Sequence, residues 1–562
     1  MHIAVSTSIP TSLQISVDVD TDVDAIQHSS TRYPFTHLPA YLLLRAVPTR
    51  LCYSRLMTAH ITALLKHPYI LYSTVALLVL AGGFLRFYDL GAQSYWMDEG
   101  YTVNAVQALQ EKGEPILDSG QPYRCPMYCW PSALLADTFG STPSSYRLFS
   151  ATIGTLFIAV IFFITRYMFT TNVALLSTTL IAFSDIHIAW SRQARWYTLL
   201  TLLFWLALFF FYRAHHYTEH RTRNYALAAL ATVLACLTHT LGLLLPLIFV
   251  IWALIEHVRT HAPWKHVWYP LATALGAIAL LALITQSNPF AWLSTHTTTP
   301  TLDFPYYLAY YIRAYWLFIP LIALVWIVPS PHRKPATYLL LAGAVYLTPL
   351  TFLTDNIQYR YLFHLTPALL IVGAVGALAL HTRLTRTLHK AVLWLTLALL
   401  FFATNSGTLI PRTHYYLESD PQVSYLLQTP YYAYVPQPDW RSAYTYVQTH
   451  RTEGDIIVSA QPVFTKIYLG EPGYSLHYSL LGASEESVPE VNGKEYYVGA
   501  TVLHDRAELS DLLATHHGYI ILDFFSLDGR LSRETLAYIQ NNTQEVFHAR
   551  TNDVSEVWVY AF

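Results

Sequence analysis

The run Ser94-Tyr95-Trp96-Met97-Asp98-Glu99-Gly100-Tyr101-Thr102 places two adjacent carboxylates among aromatic side chains. A carboxylate in a partly dehydrated cleft can act as a general base, and flanking aromatics supply both the dehydration and a surface for substrate. The same residues also read as a helix start. Asp98 and Glu99 would then complement the first turn of a helix running to about residue 112. Both readings can hold, because a carboxylate at a helix start is rigidly placed. A second cluster, Asp185-Ile186-His187 followed by Ser191-Arg192-Gln193-Ala194-Arg195-Trp196-Tyr197, carries two arginines. Guanidinium forks bind phosphate bidentately, so Arg192 and Arg195 suit a phosphorylated lipid head group. Two snorkelling arginines at a helix start are the plainer alternative. A third stretch, Asp355-Asn356-Ile357-Gln358-Tyr359-Arg360-Tyr361, offers Arg360 as a further phosphate contact or as the partner of Asp355. Arg313 falls inside an apolar stretch, where a charge is costly unless it faces a polar cavity. His239 reads as a hydrogen-bonded histidine between helices.

Other motifs are sparse. Cys125 and Cys129 read as two thiols rather than a bridge, and Asn541-Asn542-Thr543 is a sequon of little weight. There is no P-loop, no G-x-G-x-x-G fingerprint and no H-E-x-x-H helix, so a nucleotide-driven pump has no support. No metal site and no cofactor are expected.

These residues must be positioned by membrane helices. Of 562 residues, 54% are hydrophobic and 12% charged, about half the ~25% charged of a soluble domain. A net charge of −2 offers no basic field for nucleic acid, and four cysteines make no disulfide scaffold. The hydropathy pattern predicts about eleven spans, near 69–86, 147–168, 172–190, 195–212, 224–238, 239–257, 266–285, 307–328, 336–354, 361–380 and 390–406. Lys and Arg concentrate in alternate loops, which predicts a cytoplasmic N-terminus and an outside C-terminus. Residues 1–66 read as a poorly ordered cytoplasmic extension, 67–410 as the transmembrane domain and 87–146 as its long outside loop. The tail 411–562 holds 19 of the 35 acidic residues. It alternates helix signals (439–450, 530–541) with strand signals (455–459, 519–523, 556–562), predicting an extracytoplasmic α/β domain.

Five pieces in this order resemble the GT-C superfamily of polytopic glycosyltransferases, in the bacterial branch related to protein O-mannosyltransferases and the lipid A aminoarabinose transferase. They are Tyr95-Trp96-Met97-Asp98-Glu99, Tyr146-Arg147-Leu148-Phe149-Ser150-Ala151, Ser191-Arg192-Gln193-Ala194-Arg195-Trp196-Tyr197, Arg360-Tyr361-Leu362 with Pro367, and Asp439-Trp440-Arg441 with Gly454-Asp455. The resemblance covers about residues 70–562. Two departures stand out: Tyr123-Arg124-Cys125-Pro126-Met127-Tyr128 replaces a His-Pro-Pro-Leu-Tyr pattern, and Arg192 replaces a usual Gln.

The resemblance implies a multi-pass GT-C-like membrane enzyme of the plasma membrane. It would move a hexosyl or pentosyl group from a polyprenyl-phosphate donor to a protein, lipid or glycan acceptor outside. Asp98 would be the general base, with Glu99 orienting the loop or the acceptor. Arg192, Arg195, Arg360 and Arg313 would hold the donor phosphate. Tyr95, Trp96, Tyr101, Tyr123, Asp185 and Tyr197 would line the acceptor or sugar pocket. A transporter or lipid flippase is the alternative of another class, and predicts internal repeats and broken mid-membrane helices. An inactive relative with a binding role and a glycan polymerase or ligase are the others.

Overall fold

The computed structural model describes residues 67–123, 125–261, 263–285, 315–352, 359–404, 406–415, 438–476, 490–523, 526–527, 531–550 and 556–562. The expected extension 1–66, together with Arg124, Arg313 and Asp355, lies outside the described residues.

The membrane part opens with α1 (Pro68–Phe87), whose proline occupies a first-turn position where no backbone donor is needed. The outside loop folds into α2 (Met97–Lys112) and α3 (Pro126–Phe139). Thr142 then caps α4 (Pro143–Met168), and Thr170 caps α5 (Thr171–Phe183), each side chain accepting from a first-turn amide. A short α6 (Asp185–Ser191) leads to α7 (Tyr197–His216) and α8 (Arg221–Thr238). Next come α9 (Leu244–Thr260), α10 (Lys265–Thr285), α11 (Phe318–Ile327) and α12 (Arg333–Phe352). A 3-10 turn (Tyr359–Leu365) carries Arg360 into α13 (Thr366–Arg383), and α14 (Thr387–Ala403) closes the bundle.

Among the described residues, seven helical stretches are long and apolar enough to cross a membrane, and α5, α11 and α14 are shorter apolar helices. This is an integral membrane protein. The stretch expected as one span at 172–190 is broken at Ser184. There the backbone turns extended (φ −64°, ψ 123°) and bridges Gly407, while the Thr408 N–H donates to Phe183 O at 2.8 Å. Gly407 is required at that crossing, since a Cβ there would stand 2.1 Å from the Phe401 ring.

The bundle core is aromatic and aliphatic, with Phe204, Trp205, Phe211, Trp252, Tyr338 and Tyr346 all buried. Phe211 stacks on Phe249 at 4.2 Å, joining α7 to α9.

Beyond the bundle, α15 (Trp440–His450) precedes an eight-stranded sheet. Its members are β1 (Ile456–Ser459), β2 (Tyr474–Leu476), β3 (Glu490–Val491), β4 (Lys494–Glu495), β5 (Thr501–Leu503), β6 (Gly518–Asp523), β7 (Gln544–Arg550) and β8 (Glu556–Ala561). The order is β3-β4-β5-β2-β1-β6-β8-β7, with a parallel centre (β5, β2, β1, β6) and antiparallel edges. Helices α16 (Pro462–Leu469), α17 (Arg506–Thr515) and α18 (Arg533–Asn542) complete it, so the α/β expectation for this region holds.

The α/β domain is packed on the catalytic loop candidate. A Cβ at Gly100, in the first turn of α2, would lie 3.0 Å from Val463 of α16. Arg441 donates to Gly91 O at 2.8 Å, Ser94 Oγ donates to Asp439 at 3.0 Å, and the Gln93 amide exchanges two hydrogen bonds with the Tyr415 backbone.

Candidate active site

Glu99 is fully buried and saturated. Its Oε1 accepts from Arg147 Nε (2.8 Å) and the Ala194 N–H (2.6 Å), and its Oε2 from Arg147 Nη2 (2.9 Å) and the Trp96 N–H (3.1 Å). Four acceptor positions meet four donors, so Glu99 has no capacity left for a reacting group. It caps α2 and ties together α2, α4 and the 191–195 segment. Arg147 is equally spent. Beyond its fork to Glu99 it donates to Leu90 O, Gln93 O and Ser94 O at 2.8–3.1 Å, using all five N–H groups.

Asp98, one residue earlier, points elsewhere and is partly accessible, with 13% of its side chain exposed. Its Oδ2 lies 3.2 Å from Arg195 Nη2 and 3.0 Å from Arg360 Nη1. Arg195 is further held by Asp98 O (2.9 Å), Thr102 Oγ1 (2.8 Å) and the Tyr123 hydroxyl (3.0 Å), and it lies 3.8 Å above the Trp196 ring. Arg360 reaches over the Trp96 ring at 5.4 Å. The result is one carboxylate bridging two guanidiniums on an aromatic floor, near where the α/β domain packs on α2. His239 packs beside this floor, against Trp196 and Tyr361, and its Nδ1 accepts from the Leu241 N–H, as a satisfied histidine would.

The motif pieces thus converge through named bonds. Ser150 of the Tyr146–Ala151 run donates to Arg195 O at 2.8 Å, Arg147 of the same run holds Glu99, and Arg360 meets Asp98.

Several expected site residues lie elsewhere. Arg192 turns away from the cleft. Its guanidinium is buried and donates to the carbonyls of Leu85, Arg86, Tyr88, Asp89 and Thr413, so it staples the loop after α1 instead of offering itself to phosphate. Tyr95 is buried between Arg147 and Tyr468. Tyr197 is buried against Trp190 and His364. Asp185 pairs with Arg412 at 3.2 Å, and burial pushes its carboxyl up to about 6 despite that arginine. Cys125 and Cys129 are joined in a disulfide, where two thiols were expected. Their spacing of one helical turn, at the start of α3, makes the closure local.

Sequence reasoning missed three contributors. Arg147 stood in the recognised run Tyr146–Ala151 with no task assigned to it. Arg441 lay in a recognised run with no assigned task. Tyr497, in the turn between β4 and β5, carried no signal. Its ring stacks on Tyr101 at 3.8 Å and 19°. The turn is held by Glu495, a buried carboxylate that accepts the N–H groups of Tyr497 (2.9 Å) and Val498 (2.7 Å). Burial pushes Glu495 up to about 7, against the lowering effect of those two bonds.

A pH dependence follows. A carboxyl raised in the folded state binds its proton more tightly there than in the unfolded chain. The α/β domain should therefore lose stability as pH rises from about 4.5 to 7, and level off above. Glu495→Gln should flatten that slope in thermal melts of the purified protein; an unchanged slope would remove Glu495 as its source.

Comparison with known proteins fits this geometry. Residues 121–292 match the family model for dolichyl-phosphate-mannose-protein mannosyltransferases. Among solved structures, ArnT from Cupriavidus metallidurans in the apo state is similar at a TM-score of 0.55 and 14% identity, covering 87% of this chain and 97% of that one. The same protein bound to undecaprenyl phosphate gives 0.52 and 16%, with the same coverage. The archaeal oligosaccharyltransferase AglB from Archaeoglobus fulgidus, in complex with an inhibitory peptide and a dolichol-phosphate, gives 0.51 and 12%, covering 88% of this chain and 74% of that one. No curated protein matches. The fold is that of the GT-C glycosyltransferases.

Proposed function

We propose that this GT-C-fold membrane protein transfers a sugar from a polyprenyl-phosphate donor to an acceptor on the outer face of the membrane, with Asp98 as general base. One observation carries the reading: a single accessible carboxylate bridges Arg195 and Arg360 in a cleft floored by Trp96 and Trp196. The similar structures that hold undecaprenyl phosphate and dolichol-phosphate support the donor class. The excess of Lys and Arg in alternate loops supports placing the cleft outside.

The chemistry follows from charge. Asp98 Oδ2 is paired with two guanidiniums. A donor phosphate brings its own negative charge to the same pair of forks. Once the phosphate holds Arg195 and Arg360, the carboxylate is released to accept a proton. The acceptor oxygen then attacks the anomeric carbon from the face opposite the phosphate. The C–O bond to phosphate breaks as the new one forms, the hydroxyl proton passes to Asp98, and polyprenyl phosphate departs. Guanidiniums placed where that charge gathers lower the barrier. One displacement inverts the anomeric centre, as in inverting glycosidases. Two guanidiniums meet the charge of one phosphate, so the step is metal-independent in this reading. Arg147 and Glu99 act one layer back, holding the 90–99 loop in place.

The test is turnover of a panel of radiolabelled polyprenyl-phosphate sugars by the purified protein, with undecaprenyl phosphate binding measured alongside. Label leaving the lipid with wild type, and an inverted product, is the expected result. Neither binding nor label release across hexosyl and pentosyl donors would overturn the assignment.

A further inference from the structure

One side of the cleft is built in part by the α/β domain, which reaches α2 at Tyr101 and Asn104. The turn from Glu495 to Val498 lies over α2, with Tyr497 stacked on Tyr101 and both rings half-buried. Tyr123, whose hydroxyl accepts from Arg195, is the third half-buried tyrosine of this face. Burial, and after it the charges of Tyr123 and Asp98, oppose ionisation of the Tyr497 hydroxyl. Tyr101 lies one helical turn from Asp98 on α2 with Tyr497 stacked on it, and Tyr123 shares Arg195 with Asp98, so tyrosines from three segments gather beside this carboxylate.

Four backbone groups around Tyr497 are already bonded. The N–H groups of Tyr497 and Val498 go to Glu495, the Tyr497 carbonyl accepts from Asn104 at 3.0 Å, and the Tyr496 carbonyl accepts from the Ser119 hydroxyl. Gly499, at φ +71°, packs on the Asp118–Ser119 backbone, where a Cβ would come within 3.2 Å. A peptide acceptor recognised through its main chain needs unpaired backbone groups to bond with, and both backbone groups of Tyr497 itself are taken. What it presents is aromatic surface with hydroxyl groups. That combination complements a ring carrying C–H groups on its face and hydroxyls on its rim.

We propose that the Glu495–Val498 turn is the acceptor-side wall of the cleft, that Tyr497 is a specificity-determining residue contacting the acceptor, and that the acceptor presents a sugar ring rather than a peptide main chain. This rests on the transferase reading above. Glu495 is the positioning residue that holds the turn's amides and so aims the Tyr497 ring.

The experiment uses the full chain, the donor that turns over in the panel, and cell envelope from the source organism separated into carbohydrate-bearing and protein fractions. Label should pass to a protease-resistant carbohydrate acceptor. Tyr497→Ala should raise the KM for that fraction about tenfold or more while kcat at saturation changes less than about threefold. Tyr497→Phe, which keeps the ring and loses only the hydroxyl, should raise that KM by less than Tyr497→Ala does. Label in a protease-sensitive acceptor, or a Tyr497→Ala protein with unchanged KM, would overturn the proposal and leave the transferase reading standing. If Tyr497→Ala instead weakens undecaprenyl phosphate binding as much as transfer, Tyr497 belongs to the donor side and the acceptor assignment fails. A wild-type protein that neither binds undecaprenyl phosphate nor releases label would overturn both.

Discussion

Asn in place of Asp98 should separate binding from turnover. Transfer is expected to fall by about 10²–10⁴-fold, the usual contribution of a positioned general base. Binding of undecaprenyl phosphate should move the other way and tighten by about tenfold, or ~1.4 kcal/mol. The reason is the pairing of Asp98 Oδ2, which lies 3.0 Å from Arg360 and 3.2 Å from Arg195. A phosphate must displace that carboxylate from two forks before it can use them. An amide of the same shape presents no charge to displace. Titrating purified wild type and Asp98→Asn with undecaprenyl phosphate, and measuring label release by each, checks both halves. Weaker phosphate binding by Asp98→Asn would show that the carboxylate supports the arginines' geometry more than it competes for them. Full transfer by the folded variant would end the base assignment.

The second large effect is structural in origin and catalytic in consequence. Arg147→Met should cost about 3–5 kcal/mol of stability, because it leaves the Glu99 carboxylate buried and unpaired. It also frees the carbonyls of Leu90, Gln93 and Ser94, so the loop before Asp98 loses its clamp. Arg147→Lys should recover little, since an ammonium cannot place five donors in a plane. Thermal midpoints in detergent, read with donor turnover, would show this. A Lys variant with wild-type stability would mean that charge alone, and not the fork, holds the loop. The double variant Glu99→Gln/Arg147→Met should be less damaged than Arg147→Met, as the buried charge is then removed along with its partner.

Much of this protein was readable from its sequence, and the reasons are local. An apolar stretch of membrane length must bury its backbone polar groups in a helix whatever its neighbours are. The order and approximate limits of the helices therefore followed from composition. Short apolar runs rich in β-branched and aromatic residues likewise marked β1, β6 and β8, and the carboxylate pair at 98–99 marked the start of α2. The pairing of motifs with chemistry was legible only by type: carboxylate for base, arginine for phosphate.

Which carboxylate and which arginine was decided by the tertiary structure. Asp98 and Glu99 are neighbours of the same kind, yet on a helix consecutive side chains point about 100° apart. One faces the cleft, and the other enters a fully bonded cluster with Arg147. Arg192 and Arg195 are likewise three residues apart, but Arg192 finds a ring of backbone carbonyls while Arg195 finds Asp98. Nothing local could signal Tyr497 or Arg441, because their roles depend on a contact between residues some 350 to 400 positions apart. The sequence alone determined a membrane-embedded bundle with an α/β domain and the kinds of groups available for chemistry. Only the tertiary packing decided which of those groups face the cleft, since orientation is set by the partners that satisfy each buried charge.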